Sequence, residues 1–263
     1  MVAFFVIVIL IVCIVWIIGF FFINDFSIPN LSILHYNKIL LIYPHADDEV
    51  LGTAGLINIA SIQNKKLTLV ILTKGEKGTP DASTDLRLKN VRVNEARTIS
   101  KFLGISNLIQ EDFGDGELIQ KTDRVNSYIS KLLDSEKPDL VVTYDESGLY
   151  GHPDHIVVSE IVTDLIKKKY TNTSLWYTTY PKRVLSMVSL PEHMAKDPKF
   201  KEKRVLPTNK LFIGMSLFKK IQSVYLYKSQ YQSFRDGIPF KAAPLWFFYS
   251  MSWYEYFYQV KTS

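Results

Sequence analysis

The sequence has a single cysteine, and this scarcity excludes two kinds of site. Cys13 lies inside the apolar N-terminal segment of the 263-residue chain. One cysteine cannot form an intramolecular disulfide, and it cannot build a cysteine-based zinc site. Cysteine usage therefore leaves the redox compartment undetermined, and a metal site would depend on histidine and carboxylate ligands.

Charged side chains are missing from the first 24 residues. Residues 2–23 are almost wholly apolar, the first charged side chain is Asp25, and the first lysine is Lys38. About 20 apolar residues span a bilayer as a helix. A cleaved signal peptide would need Lys or Arg before the apolar run and a small-residue cleavage site after it, and neither is present. The pattern predicts a retained single-pass membrane anchor over residues 1–23.

The side of the membrane on which the main domain lies is left open by this lack of charge. Positively charged loops tend to stay inside, but here only the terminal amine precedes the helix and Asp25 follows it. This weakly favours an inside N-terminus with the main domain outside.

Signatures of nucleic-acid and dinucleotide binding are also missing. The formal net charge of +5 is modest, and it suits an anionic membrane surface or an anionic substrate. No RNA-binding signature or regular basic helix face is present, so we expect no nucleic-acid partner. No G-x-G-x-x-G follows the first predicted strand, which argues against a dinucleotide site.

Strand and helix patterns alternate after a short polar linker at residues 24–37, and we assign residues 38–263 to one domain. Alternation of this kind predicts an α/β fold with a mostly parallel, Rossmann-like sheet and flanking helices. The predicted strands are 38–43, 66–73, 107–113, 139–145 and 174–180. The predicted helices are 49–63, 85–104, 122–137 and 153–169, with Thr122 as an N-cap and Gly104 as a stop.

The pattern becomes less regular from about residue 181. Residues 217–233 have helical spacing, and residues 244–260 are densely aromatic. Tyr, Ser and Glu255 interrupt the aromatic stretch too often for a second membrane span. We predict that it packs into the core, with a membrane-interface belt as the alternative.

Polar side chains collect where the first predicted strand ends. His45 is followed by Asp47, Asp48 and Glu49. Burying like charges together is costly unless something neutralises them, and a divalent cation is one answer. Ligands of open α/β sheets bind beyond the carboxyl ends of the strands, where this cluster lies. Taken alone, the cluster has an ordinary alternative, a core histidine and a helix N-cap aspartate.

A second cluster, GHPDH at residues 151–155, follows another predicted strand. His152 and His155 are three residues apart in the first turn of a helix that begins near Pro153, so both side chains lie near one face. With His45 and Asp48 they supply enough ligands for one metal. Two histidines and one carboxylate suit Zn²⁺ with an open position for water, and the same set suits Fe²⁺. A remaining carboxylate can act as general base, and a free histidine or tyrosine can stabilise an oxyanion.

The two motifs, PHADDE at 44–49 and GHPDH at 151–155, resemble those of the PIG-L/LmbE family of zinc-dependent N-deacetylases. That family includes the enzyme that deacetylates N-acetylglucosaminyl-phosphatidylinositol, and bacterial deacetylases of glucosamine conjugates. The likeness runs from about Lys38 to Tyr180 and includes LTKGEKG (72–78), RVNEARTISKFLG (92–104) and FGDGEL (113–118). It implies an LmbE-like fold and hydrolysis of an acetamide on an N-acetylglucosamine conjugate, giving free amine and acetate.

The resemblance also implies roles for individual residues. The implied metal ligands are His45, Asp48 and His155. The implied catalytic residues are Asp47 as general base, His152 stabilising the tetrahedral intermediate, Asp154 orienting His152, and Tyr150 polarising the substrate carbonyl. Arg92 and Asp115 match positions that contact the sugar or its conjugate, and Glu49 has a supporting role. Zn²⁺ is the implied cofactor, with Fe²⁺ as the alternative.

One position departs from the family motif, and the substrate stays open. Ala46 stands where the usual motif has proline. Proline supplies no ligand, so we expect the ligand geometry to survive. The anchor suggests an amino-sugar substrate that is lipid-linked or belongs to the cell envelope. Two alternatives are a hydrolase of a different amide on the same scaffold, and a catalytically silent, membrane-tethered glycan-binding module. The exact substrate and the oligomeric state are not encoded in any motif that we find.

Overall fold

Seven strands and ten helices are found in the part of the chain that the computed structural model describes, residues 1–78, 83–187, 198–238 and 243–261. The strands are β1 (Lys38–Tyr43), β2 (Lys66–Ile71), β3 (Asn107–Gln110), β4 (Leu140–Tyr144), β5 (Ser174–Thr179), β6 (Asn209–Phe212) and β7 (Tyr254–Val260). The helices are α1 (Val2–Ile23), α2 (Asp48–Ile62), α3 (Leu86–Leu103), α4 (Thr122–Glu136), α5 (Gly148–Gly151), α6 (Pro153–Lys168), α7 (Lys182–Leu185), α8 (Ser216–Leu226), α9 (Tyr231–Gly237) and α10 (Leu245–Tyr249).

The strands form one sheet in the order β3-β2-β1-β4-β5-β7-β6. The five strands from β3 to β5 are parallel, and β7 runs antiparallel to both of its neighbours. The predicted α/β class with a mostly parallel sheet is confirmed. The carboxyl ends of β1 and β4, which are direct neighbours, meet at one edge of the sheet.

Helices cover both faces of the sheet, because alternate side chains of the apolar strands point to opposite sides. In β1, Ile39 and Leu41 join a core with residues of α2, α3 and α8. Leu40 and Ile42 join a second core with residues of α4 and α6 on the other face. This burial on both faces explains why the strands read as continuous apolar runs.

For the helices that precede β5, most of the ends predicted from local sequence signals agree with the structure to within one or two residues. Gly104 ends α3 in the left-handed conformation (φ +82°), as predicted. The N-cap prediction for Thr122 is wrong, because Lys121 occupies the cap position. Thr122 is already helical and its hydroxyl donates to the Ile119 carbonyl instead (2.8 Å).

The C-terminal third differs more from the sequence prediction. The helix expected at 217–233 is broken at Tyr227 into α8, a short 3₁₀ turn and α9. The aromatic stretch at 244–260 divides into α10 and β7. Tyr256 and Phe257 of β7 are buried, which confirms core packing for that strand, whereas Trp246 of α10 is 53% exposed.

The N-terminal helix is exposed along most of its length. It is the one helix in the described ranges that is long and apolar enough to cross a membrane, with a mean hydropathy of 3.4. Residues 24–37 lie against the domain. Lys210 N donates to the Pro29 carbonyl (2.9 Å), and Ile33 is buried in the core.

Candidate metal centre

Two loops from neighbouring strands bring the candidate ligands together. The segment from β1 into α2 carries His45 and, as the first residue of α2, Asp48, and the segment from β4 into α6 carries His155. His45 Nδ1 lies 3.1 Å from His155 Nε2 and 3.7 Å from Asp48 Oδ2. His155 Nε2 lies 3.4 Å from Asp48 Oδ1. Ligand atoms about 2.1 Å from a tetrahedral zinc ion are about 3.4 Å apart, so these three side chains fit one metal ion.

Two overlapping groups of candidate ligands lie around His45 among the described residues. One is His45 with His152 and His155, and the other is His45 with Asp115 and Asp154. Ligand atoms within each group are within 4.8 Å of one another. Which side chains face the metal therefore depends on the hydrogen bonds that each histidine already makes.

His45 is bracketed by carboxylates on its Nε2 side. Nε2 lies 3.0 Å from Asp115 Oδ1 and 3.2 Å from Asp154 Oδ2. Burial disfavours the charged imidazole, but the carboxylates outweigh it and raise the pKa of His45 well above its usual value. An Nε2–H held by these carboxylates leaves Nδ1 to face His155 and Asp48. A carboxylate on the outer nitrogen is the usual support of a metal-ligating histidine.

His152 is held through its other ring nitrogen, Nδ1, by the helix that it caps. Its Nδ1 accepts a hydrogen bond from the Asp154 main-chain N–H (3.2 Å) at the start of α6. Burial and the neighbouring histidines hold the pKa of His152 well below its usual value. The neutral ring with an acceptor Nδ1 carries its hydrogen on Nε2. His152 is therefore suited to donate a hydrogen bond rather than to bind metal through Nε2.

The Asp154 carboxylate makes contacts other than those implied by the resemblance. It lies against His45 and accepts from the main-chain N–H groups of Gly116 (2.7 Å) and Leu118 (3.2 Å). The hydrogen bond from Asp154 to His152 comes from the main chain. Through its carboxylate, Asp154 joins the β3–α4 loop to His45.

Asp47 occupies a strained turn beside the ligands. Its φ of +115° is rare for a residue other than glycine, and such strain is concentrated at functional sites. The Asp47 N–H donates to Glu49 Oε2 (3.0 Å), and its carboxylate lies 3.4 Å from Arg92 Nη2. Burial raises the pKa of Asp47 to about 7, although Arg92 acts to lower it. Arg92 also donates to the Ala46 carbonyl, a main-chain contact that does not require proline at position 46.

Tyr150 lies beside the candidate ligand His155. It belongs to α5, which is a single distorted turn. Its hydroxyl lies 3.4 Å from His155 Nε2. Leu149, directly before it, has φ +63° and ψ −52°, outside the helical region. Gly151 follows with φ +84°, and a Cβ there would lie 2.9 Å from the Phe200 ring. The GLYG sequence thus permits a turn that larger residues would resist, and this turn places Tyr150 beside the candidate ligands.

The two residues matched to substrate contacts are both buried and engaged. Arg92 is 3% exposed and contacts Asp47 and the Ala46 carbonyl. Asp115 is 6% exposed, lies against His45 and accepts from the Lys77 N–H (2.9 Å). Arg92 thus contacts the candidate base Asp47, and Asp115 contacts the candidate ligand His45.

Two tyrosines of the site were missed by the sequence analysis. Tyr144, the last residue of β4, donates to Asp48 Oδ1 (3.0 Å), and its ring stacks on His155 with centroids 4.7 Å apart. A tyrosine ending a buried strand beside GHPDH was an available signal. Tyr227 donates to Glu49 Oε1 (2.7 Å) across 178 residues, and no local pattern marks it.

Part of the chain matches a known protein family. Residues 40–166 match the family model described as "PIG-L: GlcNAc-PI de-N-acetylase". A 1D-myo-inositol 2-acetamido-2-deoxy-alpha-D-glucopyranoside deacetylase of Actinosynnema mirum is 30% identical over 170 residues, which cover 54% of this chain and 59% of that protein. The chain spans about half the length of the curated relatives that it matches.

Solved structures share the fold. An N,N'-diacetylchitobiose deacetylase from Pyrococcus horikoshii superposes with a TM-score of 0.60 at 20% identity, covering 87% of this chain and 85% of the other. GalB, a 4-carboxy-2-hydroxymuconate hydratase from Pseudomonas putida, gives 0.56 at 18% identity, with coverages of 81% and 83%. Since the second protein is a hydratase, the fold alone does not decide the reaction.

Proposed function

Because residues 40–166 match the PIG-L family model, we propose that the protein is a metal-dependent N-deacetylase of an amino-sugar conjugate. The observation that carries the proposal is the convergence of His45 Nδ1, His155 Nε2 and Asp48, with Asp47 and His152 beside them. A glycan-binding module would have no need of a buried carboxylate next to three candidate metal-ligand atoms. The match to a de-N-acetylase family model and the deacetylase relatives favour amide hydrolysis over hydration.

His45, Asp48 and His155 would hold the ion, with zinc favoured and Fe²⁺ as the alternative. The bound ion would supply Lewis acidity toward the amide carbonyl and lower the pKa of a water molecule. Tyr144, Asp115 and Asp154 would fix the ligands from outside. This support through hydrogen bonds is typical of metal sites.

The remaining side chains can carry the proton transfers of amide hydrolysis. Asp47 would accept a proton as the water oxygen bonds to the acetyl carbon. The Nε2–H of His152 and the Tyr150 hydroxyl would stabilise the negative charge on the carbonyl oxygen. The carbon–nitrogen bond then breaks, and Asp47 returns the proton to the departing nitrogen. The products are the free amine and acetate.

We also propose that α1 spans a membrane and anchors the enzyme. The helix has 22 residues and most of its side chains are exposed, whereas a core helix of a soluble protein would be buried. A lipid-linked or envelope amino sugar fits an anchored enzyme, and a soluble conjugate is the alternative substrate.

Metal-dependent acetate release from the full-length protein in detergent tests the proposal. The chelator-treated protein should be inactive, and Zn²⁺ or Fe²⁺ should restore acetate release from an N-acetylglucosaminyl conjugate. Soluble and lipid-linked conjugates tested side by side would identify the substrate class. Release of another acyl group with no acetate would assign a different amide. Full activity after complete metal removal would contradict the proposal.

A further inference from the structure

The N-terminal helix is joined firmly to the domain along its last two turns. The Trp16 indole N–H donates to Ser250 Oγ (2.8 Å), and the Asn24 side chain donates to the Met251 carbonyl (2.6 Å). Gly19 packs directly on Met251, since a Cβ at Gly19 would lie 2.3 Å from the Met251 sulfur. The helix and the segment that follows α10 therefore form one packed unit.

These contacts fix the level of the 250–251 segment along the helix. Trp16 precedes Ile23, the last residue of α1, by seven positions, which is about 10 Å along an α-helix. About 20 residues are needed to cross a hydrocarbon core of about 30 Å, which is nearly the whole of the 22-residue α1. The part of the domain that touches Trp16 and Gly19 must then lie within about 10 Å of the bilayer boundary.

Aromatic side chains surround this junction. We call Phe26, Phe212, Trp253 and Tyr254 the aromatic collar. Phe20 of α1 lies 5.8 Å from Phe26 and 6.1 Å from Trp253, ring centroid to centroid. Tyr254 and Trp253 in turn contact Phe212 at 5.4 and 5.9 Å.

Much of this aromatic surface is uncovered. Phe26 is 48% exposed, Phe212 is 49% exposed, and Trp246 on the adjoining α10 is 53% exposed. Trp and Tyr rings prefer the headgroup level of a bilayer, and Phe rings suit the boundary with the acyl chains.

Cationic side chains accompany the aromatic rings. Lys210 Nζ lies 5.0 Å from the Tyr254 ring centroid, but Lys210 is 3% exposed and donates to the Asp25 carbonyl (3.0 Å), so it supports the collar from beneath and does not face lipid. Lys182 of α7 is exposed, and Arg183 beside it donates to the Asn24 carbonyl at the base of α1 (2.7 Å). Cations next to a helix end favour the anionic surface of a membrane.

We propose that the aromatic collar and the exposed face of α10 form a bilayer-interface surface that holds the domain against the membrane in one orientation. The inference rests on the proposed span of α1. The partner is the boundary between the headgroups and acyl chains of a phospholipid bilayer. Continuity with α1 and the mixture of aromatic and cationic side chains favour lipid over a second copy of the chain.

This surface is mechanically linked to the metal centre. The Tyr180 hydroxyl donates to the Leu51 carbonyl in the first turn of α2 (2.9 Å). Three residues further along the chain, Arg183 contacts the base of α1. Because α2 begins at Asp48, a ligand candidate, the centre has a fixed position relative to the membrane.

Spin-label accessibility in vesicles tests the inference with the full-length protein. Cys13 is the only cysteine, so its own label reports on α1. In a Cys13→Ser background, Phe212→Cys and Trp246→Cys place single labels on the proposed surface. Ile62→Cys is the control, because Ile62 is 70% exposed at the end of α2, about 20 Å from the start of that helix. Vesicles of phosphatidylcholine and phosphatidylglycerol are probed with oxygen, which enters lipid, and with a nickel chelate, which stays in water.

We expect labels at positions 212 and 246 to gain access to oxygen and lose access to the nickel chelate, and the label at position 62 to behave oppositely. Access of nickel to the labels at both 212 and 246 would overturn the inference, since the surface would face water. Exclusion of both reagents would also overturn it, because protein would then cover the surface. If nickel reaches the Cys13 label, the span itself fails. Acetate release by the unaltered chain is measured separately, so failure of the catalytic proposal stays distinguishable.

Discussion

At the scale of single residues, the site depends on which ring nitrogen of each histidine carries a hydrogen. Carboxylates hold the Nε2 side of His45, and the Asp154 main-chain N–H occupies Nδ1 of His152. His45 therefore keeps Nδ1 available for a metal ion, and His152 keeps an Nε2–H that can donate to an oxyanion. The sequence identified both histidines, but their division of labour depends on contacts with a distant loop and a helix cap.

Asp115→Asn and Asp154→Asn test the support of His45. An amide is neutral and a poorer acceptor than a carboxylate, so His45 becomes a weaker ligand. Loss of such outer support typically lowers metal affinity about 10–100-fold. Zinc affinity measured by competition with a chromogenic chelator should fall by this factor in each variant. Asp112→Asn is the matched control, because Asp112 is exposed and pairs with Lys89 rather than with the site (2.8 Å). Equal zinc affinity in all variants would show that neither Asp115 nor Asp154 supports His45 as a ligand.

Tyr227→Phe tests the link between Glu49 and the C-terminal third. The change leaves Glu49 Oε1 without its hydrogen bond, and an unsatisfied buried acceptor costs about 1–3 kcal/mol. Because Glu49 holds the strained main chain of Asp47, we expect kcat to fall while zinc affinity is kept. Tyr225→Phe is the control, since the Tyr225 hydroxyl accepts from the Trp246 N–H (3.1 Å) and its ring lies against Tyr231 (centroids 5.9 Å apart), with no hydrogen bond to Glu49 in the described chain. Unchanged kcat would show that Glu49 holds the turn without Tyr227.

At the scale of elements, helix α2 is held from its middle as well as from its start. The Gly55 and Leu56 N–H groups donate to the two carboxylate oxygens of Glu255 in β7 (2.8 Å each). Lys220 of α8 pairs with the same carboxylate at 2.8 Å, fully buried. Gly55 allows the approach, because a Cβ there would lie 2.4 Å from Ile213.

Lys220→Met should destabilise the protein strongly. Removing one partner of a buried pair leaves an uncompensated charge and costs about 3–5 kcal/mol. Thermal unfolding of the full-length protein in detergent should show a large drop in the midpoint. Lys168→Met removes a lysine that is 74% exposed and pairs with Asp164, and such surface pairs contribute about 0–1 kcal/mol. Similar midpoints for the two variants would mean that Glu255 needs no cation.

The elements up to β5 were predictable because their signals are local. Apolar runs marked the parallel strands, and Gly104 marked the end of α3. The C-terminal third was less predictable, because its structure is decided by distant partners. Tyr227 interrupts the expected helix where it reaches Glu49, and residues 254–260 become a strand by pairing with β5 and β6.

At the scale of the whole molecule, the carboxyl edge of the sheet and the end of α1 belong to one connected structure. After β5, Tyr180 contacts α2, and Arg183 of α7 contacts the base of α1. Ser250, which follows α10, accepts a hydrogen bond from Trp16 of α1. The apolar segment was evident from the sequence. Its packing on residues 250–254 was not, since aromatic residues read alike in a core and at a membrane interface.

We propose that His45, Asp48 and His155 bind a metal ion and that the separate carboxylate of Asp47 acts beside it as the base. Metal content and acetate release should be measured together on the full-length protein, Asp47→Asn and His155→Ala. The parent should hold one metal ion per chain and release acetate. Asp47→Asn should keep the metal and lose about 10²–10⁴-fold in kcat, and His155→Ala should lose the metal. Metal loss from Asp47→Asn with full retention in His155→Ala would contradict the account, because the roles of base and ligand would be reversed.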